Sequence, residues 1–248
     1  MLKIISFTVS GAFAAFRDPS VTSNQTVYFI PPKSALVGLL GAMIGVERSN
    51  ELGDAYGQNY LDFFKKTRIG LQLETENPKK VTMFTNHRSL KEAKTKPFKT
   101  ELLENPEYTI FVKTEEPFYS KLESALKKNQ FKYSPYFGHA YCPASVSNVR
   151  FFDEEKIQNP EEHITKCVIL DESETYDIKF RFTLKKAKEN SSVIIERHLH
   201  HYFEEEKFEK RVLKHWIPIN QSEFKIAEHS VGNLSEFVSV DGFLVCLY

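Results

Sequence analysis

Four histidines late in the sequence have types and spacing that suit a metal ion: His198, His200, His201 and His215. Residues two apart on a strand face the same side, so His198 and His200 could share a zinc ion. No matching carboxylate or cysteine pattern accompanies them, since Cys142, Cys167 and Cys246 form no CxxC pair. We therefore predict surface or stacking histidines, with no metal and no cofactor.

The short motifs of nucleophilic and nucleotide chemistry are missing from the sequence. There is no GxSxG elbow for an activated serine and no GxxxxGK[ST] loop for phosphates. Aromatic and basic residues remain: Phe13, Phe16, Arg17, Tyr28, His87, Arg88, Tyr136, His139 and Tyr141. Flat rings stack on unpaired bases and cations attract phosphates, so this mixture suits single-stranded RNA, and the alternative is that these residues belong to a generic globular core.

The charges are balanced overall and uneven along the chain. Thirty-three Lys and Arg meet 33 Asp and Glu, which argues against a protein held to nucleic acid by bulk charge. Residues 1–100 carry 14 basic against 8 acidic residues, and residues 151–210 carry 10 against 15. Segment 79–99 is the most basic, opposed only by Glu92. It predicts contact with a polyanion, and the alternative is a solvated loop kept soluble by lysine.

Length and composition indicate a globular protein of the cytosol. The 248 residues suit one or two domains, and 41% hydrophobic residues can bury a core. No apolar run approaches the roughly 18 residues of a membrane helix. The apolar run at residues 1–7 is too short, and alternates too much with polar residues, to be a signal peptide. Three cysteines are an odd number without a CxxC pair, so they predict no disulfide framework. The predicted location is therefore cytoplasmic, with no membrane association.

The first elements surround a glycine-rich helix. Residues 2–10 and 26–30 read as strands, and Ser34 stands where its hydroxyl would cap a helix over the following apolar run. Small residues form a stripe along that helix: Gly38, Gly41, Ala42 and Gly45. Such a stripe predicts a close neighbour, either a strand of the sheet or the backbone of a ligand.

The later elements complete an α+β order. Segments 67–77 and 107–113 read as strands, and the polar excursion 79–105 between them suits a protruding hairpin. A helix over 117–128, begun by a proline, follows. Strand, helix, strand, excursion, strand and helix are what a ferredoxin-like sandwich requires. Beyond residue 150 the chain is acidic and predicts short strands near 165–170 and 178–184.

Two stretches carry longer motifs. The first is FTVSGAFAAFRDP at 7–19 with TVYFIPPKSALVGLLGAMIG at 26–45, and the second is PYFG at 135–138 leading to CPA at 142–144. Together they resemble the CRISPR-associated Cas five family, RAMP-type subunits of the type I interference complex Cascade, and look most like its subtype I-B branch. The resemblance covers the N-terminal 150 residues, and the acidic remainder matches in general length only.

The resemblance implies a fold and a role. Residues 1–150 would form a ferredoxin-like, RRM-like RAMP domain with a β-hairpin thumb near 79–105, and residues 151–248 a smaller β-rich region. The subunit would be non-catalytic, capping the 5′ handle of CRISPR RNA in antiviral defence. Its partners would be that RNA, the backbone and large subunits of Cascade, and target DNA in the assembled complex.

The residues expected to contact RNA combine this resemblance with the aromatic and basic pattern. They are Arg17, Tyr28, Lys33, Ser34, Gly38, His87, Arg88, Lys91, Lys94, Lys96, Tyr136, Gly138 and His139. One branch of the family, subtype I-C, is itself a metal-independent endoribonuclease that uses a tyrosine, a lysine and a histidine. Here Tyr28, Lys132 and His139 would supply those types, which keeps precursor processing as the alternative. The adjacent Lys–His pair, Lys214 and His215, lies too late in the chain.

Overall fold

The computed structural model describes residues 3–19, 21, 24–48, 57–88, 94–153, 164–171, 182–185, 196–203, 211–218, 223–226 and 236–247. The first elements are β1 (Lys3–Ser10), β2 (Phe13–Ala14), β3 (Asn24–Gln25), α1 (Lys33–Ile44), α2 (Gln58–Lys66), β4 (Thr67–Leu73), β5 (Lys79–Arg88), β6 (Thr95–Glu104), β7 (Glu107–Thr114), α3 (Phe118–Lys128) and β8 (Ser145–Asp153). The later elements are β9 (Ile164–Asp171), β10 (Phe182–Lys185), β11 (Glu196–Phe203), β12 (Arg211–Pro218), β13 (Glu223–Ile226), β14 (Glu236–Val240) and β15 (Phe243–Leu247).

A four-stranded sheet in the order β4-β7-β1-β8 forms the centre, and every neighbouring pair is antiparallel. The chain is therefore a mixed, sheet-rich α+β protein. One face of the sheet presents Ile5, Phe7 and Val9, which join the main core with residues of all three helices. The strands predicted at 67–77 and 107–113 are confirmed as β4 and β7.

The opposite face of β1 is also buried, which explains why its sequence alternates only loosely. Ile4 packs with Phe111 of β7 and with Val238 and Val245 of the β14–β15 hairpin. A Cβ on Gly70 of β4 would collide with Val245, so this glycine admits the hairpin onto the sheet. Both faces of a strand read as apolar when both are covered.

The helix predicted over 117–128 is confirmed as α3. Phe118, Leu122 and Leu126 recur every four residues and are buried, which is the pattern of a helix with one apolar face. Asn129 ends the helix in the left-handed region at φ 49°, and its N–H bonds to the carbonyls of Ala125 and Leu126. Asparagine tolerates this conformation better than most residues.

The hairpin predicted in the excursion is confirmed by β5 and β6. Their ladder runs from Lys79 opposite Glu104 to Arg88 opposite Thr95. At its base, β6 also pairs with β2 and β3, and Leu102 and Leu103 are buried in the core. Its middle projects outward, where Phe84 is 75% exposed.

The strand predicted over 26–30 is wrong. Val27 makes only an isolated bridge to Arg17, and the N–H of Tyr28 donates to the carbonyl of Phe16 at 2.9 Å. The consecutive residues Val27 and Tyr28 are both buried, so the segment does not alternate between two faces. Residues 26–28 instead lie beside residues 16–18, which follow β2, and are joined to them by single hydrogen bonds without forming a regular ladder.

The predicted cap at Ser34 is also wrong. Helix α1 begins at Lys33, and its N-cap is Pro32, which makes no side-chain cap. The carbonyl of Pro32 accepts from the N–H of Ala35 at 2.9 Å and of Leu36 at 3.2 Å. Ser34 therefore lies within the first turn of the helix.

The stripe of small residues on α1 does not have a strand as its nearest neighbour at Gly38 or Gly41, so of the two expected neighbours the backbone of a ligand stays a prediction. A Cβ on Gly41 would make ordinary contacts at 3.6–3.8 Å with Val46 and Phe63, and neither residue belongs to a strand. Among the described residues nothing lies within 4 Å of where a Cβ of Gly38 would be. Gly45 ends the helix at φ 75°. The stripe therefore leaves Gly38 facing open space.

The later strands form a seven-stranded sheet that includes β10-β13-β9-β12-β11 and the β14–β15 hairpin, with β15 parallel to β9. The strand predicted near 165–170 is confirmed as β9, and the end of the one predicted near 178–184 is β10, whereas residues 178–181 lie outside the described residues. Three of the late histidines belong to β11 and His215 to β12, and their side chains lie outside the description. Among the described residues no group of three or more potential metal ligands occurs.

Candidate nucleic-acid interface

A groove of about 1030 Å³ runs along the exposed side of α1. The chain after β2, the first turns of α1 and the loop after α3 form its walls. Six residues expected to contact RNA line it: Arg17, Ser34, Gly38, Tyr136, Gly138 and His139. These residues come from three separate stretches of sequence, and the fold brings them to one cavity.

The loop 135–144 is held in a fixed shape by its own backbone. The N–H of Phe137 donates to the carbonyl of Cys142 at 2.8 Å, and the N–H of Cys142 donates to that of His139 at 2.8 Å. Ala144 bonds to Pro135 at 3.0 Å in the same way. These bonds satisfy backbone groups that would otherwise need water, so the loop presents its side chains from a defined backbone.

Gly138 is required for the loop to approach the opposite wall of the groove. Its φ is 80°, and a Cβ there would collide with the carbonyl oxygen of Ala15. Only glycine adopts this conformation without a steric penalty. The neighbouring Phe137 accepts a hydrogen bond from the N–H of Ala15 at 3.0 Å. Loop and wall are therefore tied together at the floor of the groove.

Beneath the loop, three aromatic rings pack edge to face. Phe137 lies 5.6 Å from Phe16 and 5.8 Å from Tyr108, and Phe16 lies 6.1 Å from Tyr108, measured between ring centroids. This geometry is favourable for aromatic rings and stiffens the site from below. The cluster fixes Phe16 in the core, and the next residue, Arg17, is therefore exposed at the groove.

Exposed rings surround the groove. Tyr133 and Tyr136 line it, at 54% and 41% exposure. His139 stacks on Tyr141 with centroids 5.1 Å apart and planes 6° from parallel. Partial desolvation of its hydroxyl, followed by the nearby Cys142, raises the pKa of Tyr141. The flat, accessible rings are suited to stacking against unpaired bases.

Among the polar and aromatic residues of the lining, sequence reasoning missed Glu47, Arg48, Tyr60 and Tyr133. Tyr133 lies in the same aromatic segment as Tyr136, and that clustering could have found it. Its N–H donates to the carbonyl of Ala42 at 3.0 Å, which ties the loop to the last turn of α1. Arg48 follows the first motif by three residues and Tyr60 lies beyond residues 49–56, which are not described, and neither carries a local signal.

Tyr28 and Lys33 do not line the groove. Each is 7% exposed, and the ammonium group of Lys33 lies 5.0 Å over the ring of Phe64. This contact is a cation–π interaction within the protein. Contact of these two residues with RNA stays a prediction that the groove geometry does not support.

The hairpin carries its free-standing cations near the tip. Arg88, Lys94 and Lys96 are exposed there. At its base Lys80 lies 4.3 Å over the ring of Phe29, and in its middle Lys99, opposite Phe84, pairs with Glu101 at 3.5 Å. Most of the exposed positive charge therefore lies near the tip, while Lys79 is exposed at the base. His87 pairs with Lys96 in the ladder, and Lys91 lies outside the described residues.

The three residues of the nuclease alternative are not gathered in the groove. His139 lines it, whereas Tyr28 is buried and Lys132 is absent from its lining. The N–H of Lys132 bonds to the carbonyl of Met43 at 2.9 Å, and its side chain covers Gly45.

No helix among the described residues is long and apolar enough to cross a membrane.

A comparison with protein-family profiles identifies one family. A family profile described as "CRISPR-associated protein (Cas_Cas5)" matches residues 4–215. A comparison with curated proteins finds no match. A chain of a "CRISPR RNA-guided surveillance complex" is 15% identical, with 92% of this chain and 93% of that chain covered and a TM-score of 0.52.

A second solved structure, a CRISPR protein from Archaeoglobus fulgidus, is 12% identical, with 98% of each chain covered and a TM-score of 0.53. At such identities the two structures show a shared fold and nothing more. The profile match is different in kind, because it extends over most of the sequence, from β1 into β12. The chain therefore belongs to the CRISPR-associated Cas five family.

Proposed function

We propose that this protein is a non-catalytic RNA-binding subunit of a type I CRISPR interference complex, Cascade, in antiviral defence. It caps the 5′ handle of CRISPR RNA and acts in the cytoplasm. Its protein partners are the backbone and large subunits, and it adjoins target DNA in the assembled complex. The sequence motifs favour the subtype I-B branch.

The observation that carries this proposal is the convergence of Arg17, Gly38 and His139 on one groove, together with Ser34, Tyr136 and Gly138. These positions were selected by motif and residue type, without regard to distance in space. Residues chosen in that way would scatter over the surface if they had only separate structural roles. Their meeting at one cavity supports a shared ligand.

The fold supports the same role. The strand order β4-β7-β1-β8, with helices after β1 and after β7, is the order of a ferredoxin-like domain. We assign residues 1–150 to such a RAMP domain and residues 151–248 to a β-rich second region. The β5–β6 hairpin is inserted between the second and third strands of the domain and would be its thumb.

The groove offers RNA two kinds of contact. Arg17 can pair with a phosphate, and the open space at Gly38 lets a sugar–phosphate backbone approach the helix. Tyr136 and His139 offer ring faces to unpaired bases, each good stack contributing about 1–3 kcal/mol. The hairpin cations Arg88, Lys94 and Lys96, with His87 and Lys91, would extend the phosphate contacts beyond the groove.

The first test uses a labelled CRISPR repeat RNA that contains the 5′ handle, incubated with the full chain in EDTA. A shift on a native gel with intact RNA on a denaturing gel is the expected result. Cleavage at one position that His139→Ala abolishes would instead establish the metal-independent nuclease. The present geometry favours the first outcome, because the tyrosine and lysine of the alternative do not line the groove.

We expect Arg17→Ala and Lys94→Ala each to weaken handle binding about tenfold, because each removes a charge-assisted phosphate contact. Fluorescence anisotropy at moderate salt measures this. Lys121→Ala, on the exposed side of α3, is the control and should bind like wild type. Unchanged affinity in both test variants would count against the proposal.

A further inference from the structure

A second cavity, of about 500 Å³, lies on the face of the central sheet turned away from the helices. Its floor is the sheet itself, and the β14–β15 hairpin forms one wall through Val240, Asp241 and Val245. This volume is within the range of small-molecule sites. It shares no lining residue with the groove on α1.

A row of polar side chains crosses all four strands at the bottom of this cavity. Gln72 of β4 is opposite Thr109 of β7, and Thr109 is opposite Thr8 of β1. The row ends at Asn148 of β8, whose amide donates to the Thr8 hydroxyl at 3.3 Å. Asn148 lies at a bulge with φ 51°, and the bulge brings its side chain into the row.

Two polar groups of the cavity have no partner within the described part of the chain. Ser6, on β1, is 5% exposed, and its hydroxyl makes no hydrogen bond there. The side-chain amide of Gln72 likewise makes none. The Ser6 hydroxyl keeps contact with the open cavity and Gln72 is half-buried, so both groups are available to hydrogen-bond an occupant there.

The charges of the lining decide the class of occupant. Glu74, Glu107 and Asp241 are opposed only by Arg150, which Asp241 already holds at 3.0 Å. Glu74 accepts a hydrogen bond from Thr109 at 2.6 Å. A phosphate would meet an excess of negative charge, whereas a neutral group that donates hydrogen bonds would not.

The shape of the lining narrows the class further. Phe111 and Phe152 add apolar surface beside the polar row. An occupant that has flat apolar faces, and hydrogen-bond donors and acceptors along one edge, would match an apolar wall beside a polar row. Asparagine and glutamine amides pair with the donor and acceptor edges of bases, as they do with adenine in duplex DNA.

We propose that this cavity binds a single unstacked nucleobase, with its sugar and phosphate held outside. The proposal rests on the RNA-binding function proposed above, because an RNA subunit is where an extruded base is available. The base belongs either to the bound strand or to a free nucleoside, and the two sources share the same recognition chemistry.

The experiment titrates the full chain with adenosine, guanosine, cytidine, uridine and their 5′-monophosphates by calorimetry. We expect saturable binding of at least one nucleoside, no tighter binding of its monophosphate, and at least tenfold weaker binding to Gln72→Met. Gln130→Met, an exposed glutamine after α3, is the matched control. Ser6→Ala is the second variant, and it keeps the side-chain volume nearly unchanged.

A second arm uses handle RNA in which each base in turn is replaced by an abasic site. If the base comes from the strand, one position should weaken wild-type binding and leave the already weakened Gln72→Met variant unchanged. The proposal is overturned if no nucleoside saturates and no abasic position separates wild type from Gln72→Met. RNA binding that depends on Arg17 alone would then leave the capping function standing, whereas nucleoside binding without RNA binding would remove that function and keep the cavity.

Discussion

At the scale of single residues, Gly138 has the most direct control over the groove. Its positive φ and its closeness to Ala15 are separate constraints, and the sequence expectation rested on neither of them. Gly242, in the β14–β15 turn, shares the first constraint at φ 76° and has nothing within 4 Å of a Cβ position. A comparison of Gly138 with Gly242 therefore distinguishes the cost of a left-handed backbone from the cost of a steric collision.

We expect Gly138→Ala to lower the free energy of unfolding by about 3 kcal/mol or more, because a methyl group must displace the Ala15 carbonyl. Gly242→Ala should cost about 1 kcal/mol, from the left-handed backbone alone. Urea denaturation of both variants measures the difference. Equal losses would mean that the loop can move away from Ala15 freely.

Tyr119, on the buried side of α3, has a hydroxyl without a hydrogen-bond partner among the described residues. Burial, and then the charges of Glu123, Asp153 and Glu116, raise its pKa from 10.0 to about 12. The folded protein thus disfavours the phenolate. Stability from this group is complete below pH 10.0 and is lost as the pH rises toward 12.

Tyr119→Phe should leave stability at neutral pH unchanged or raise it by about 1 kcal/mol, since it removes an unpaired buried hydroxyl. Near pH 11 the variant should gain roughly a further 1 kcal/mol over wild type. Urea unfolding at both pH values tests this, with Tyr133→Phe as the exposed control. A variant with the same alkaline loss as wild type would show that Tyr119 titrates normally.

At the scale of elements, the β5–β6 hairpin separates a structural base from a charged tip. Leu102, Leu103 and the pairing with β2 and β3 hold the base, and they contain none of the tip cations. A change at the tip should therefore alter binding without altering the fold. This separation makes the hairpin a clean target for shortening.

Replacement of residues 85–98 by an Asn-Gly turn keeps the β3 pairing at Lys99 and Thr100, so it should preserve folding and weaken RNA binding at least tenfold. The triple variant Arg88→Ser, Lys94→Ser, Lys96→Ser keeps the length and should reduce the salt dependence of log K by about 2, at ~0.7 per single-strand phosphate contact. Anisotropy titrations over a range of salt measure both. Wild-type affinity and salt slope in the two variants would exclude the hairpin from RNA contact.

At the scale of the whole molecule, sequence patterns predicted the elements whose contacts are local in sequence. The helix over 117–128 and the hairpin followed from spacing and charge, because their contacts lie close in sequence. The Ser34 cap failed because Pro32 already occupies that position. The back-face cavity was not predicted, since it depends on Val245 packing against Gly70 across most of the chain. The meeting of Arg17 with Gly138 was expected only through the family resemblance.

The packing of the β14–β15 hairpin on the central sheet has a consequence for synthesis on the ribosome. The sheet strands end with β8 at Asp153, whereas the strands that cover Ile4 and Phe111 begin only at Glu236. At typical translation rates of about 5–20 residues per second, this apolar patch stays uncovered for on the order of ten seconds. During that interval the nascent chain is a substrate for chaperones that hold exposed apolar surface, before its own C-terminal hairpin displaces them.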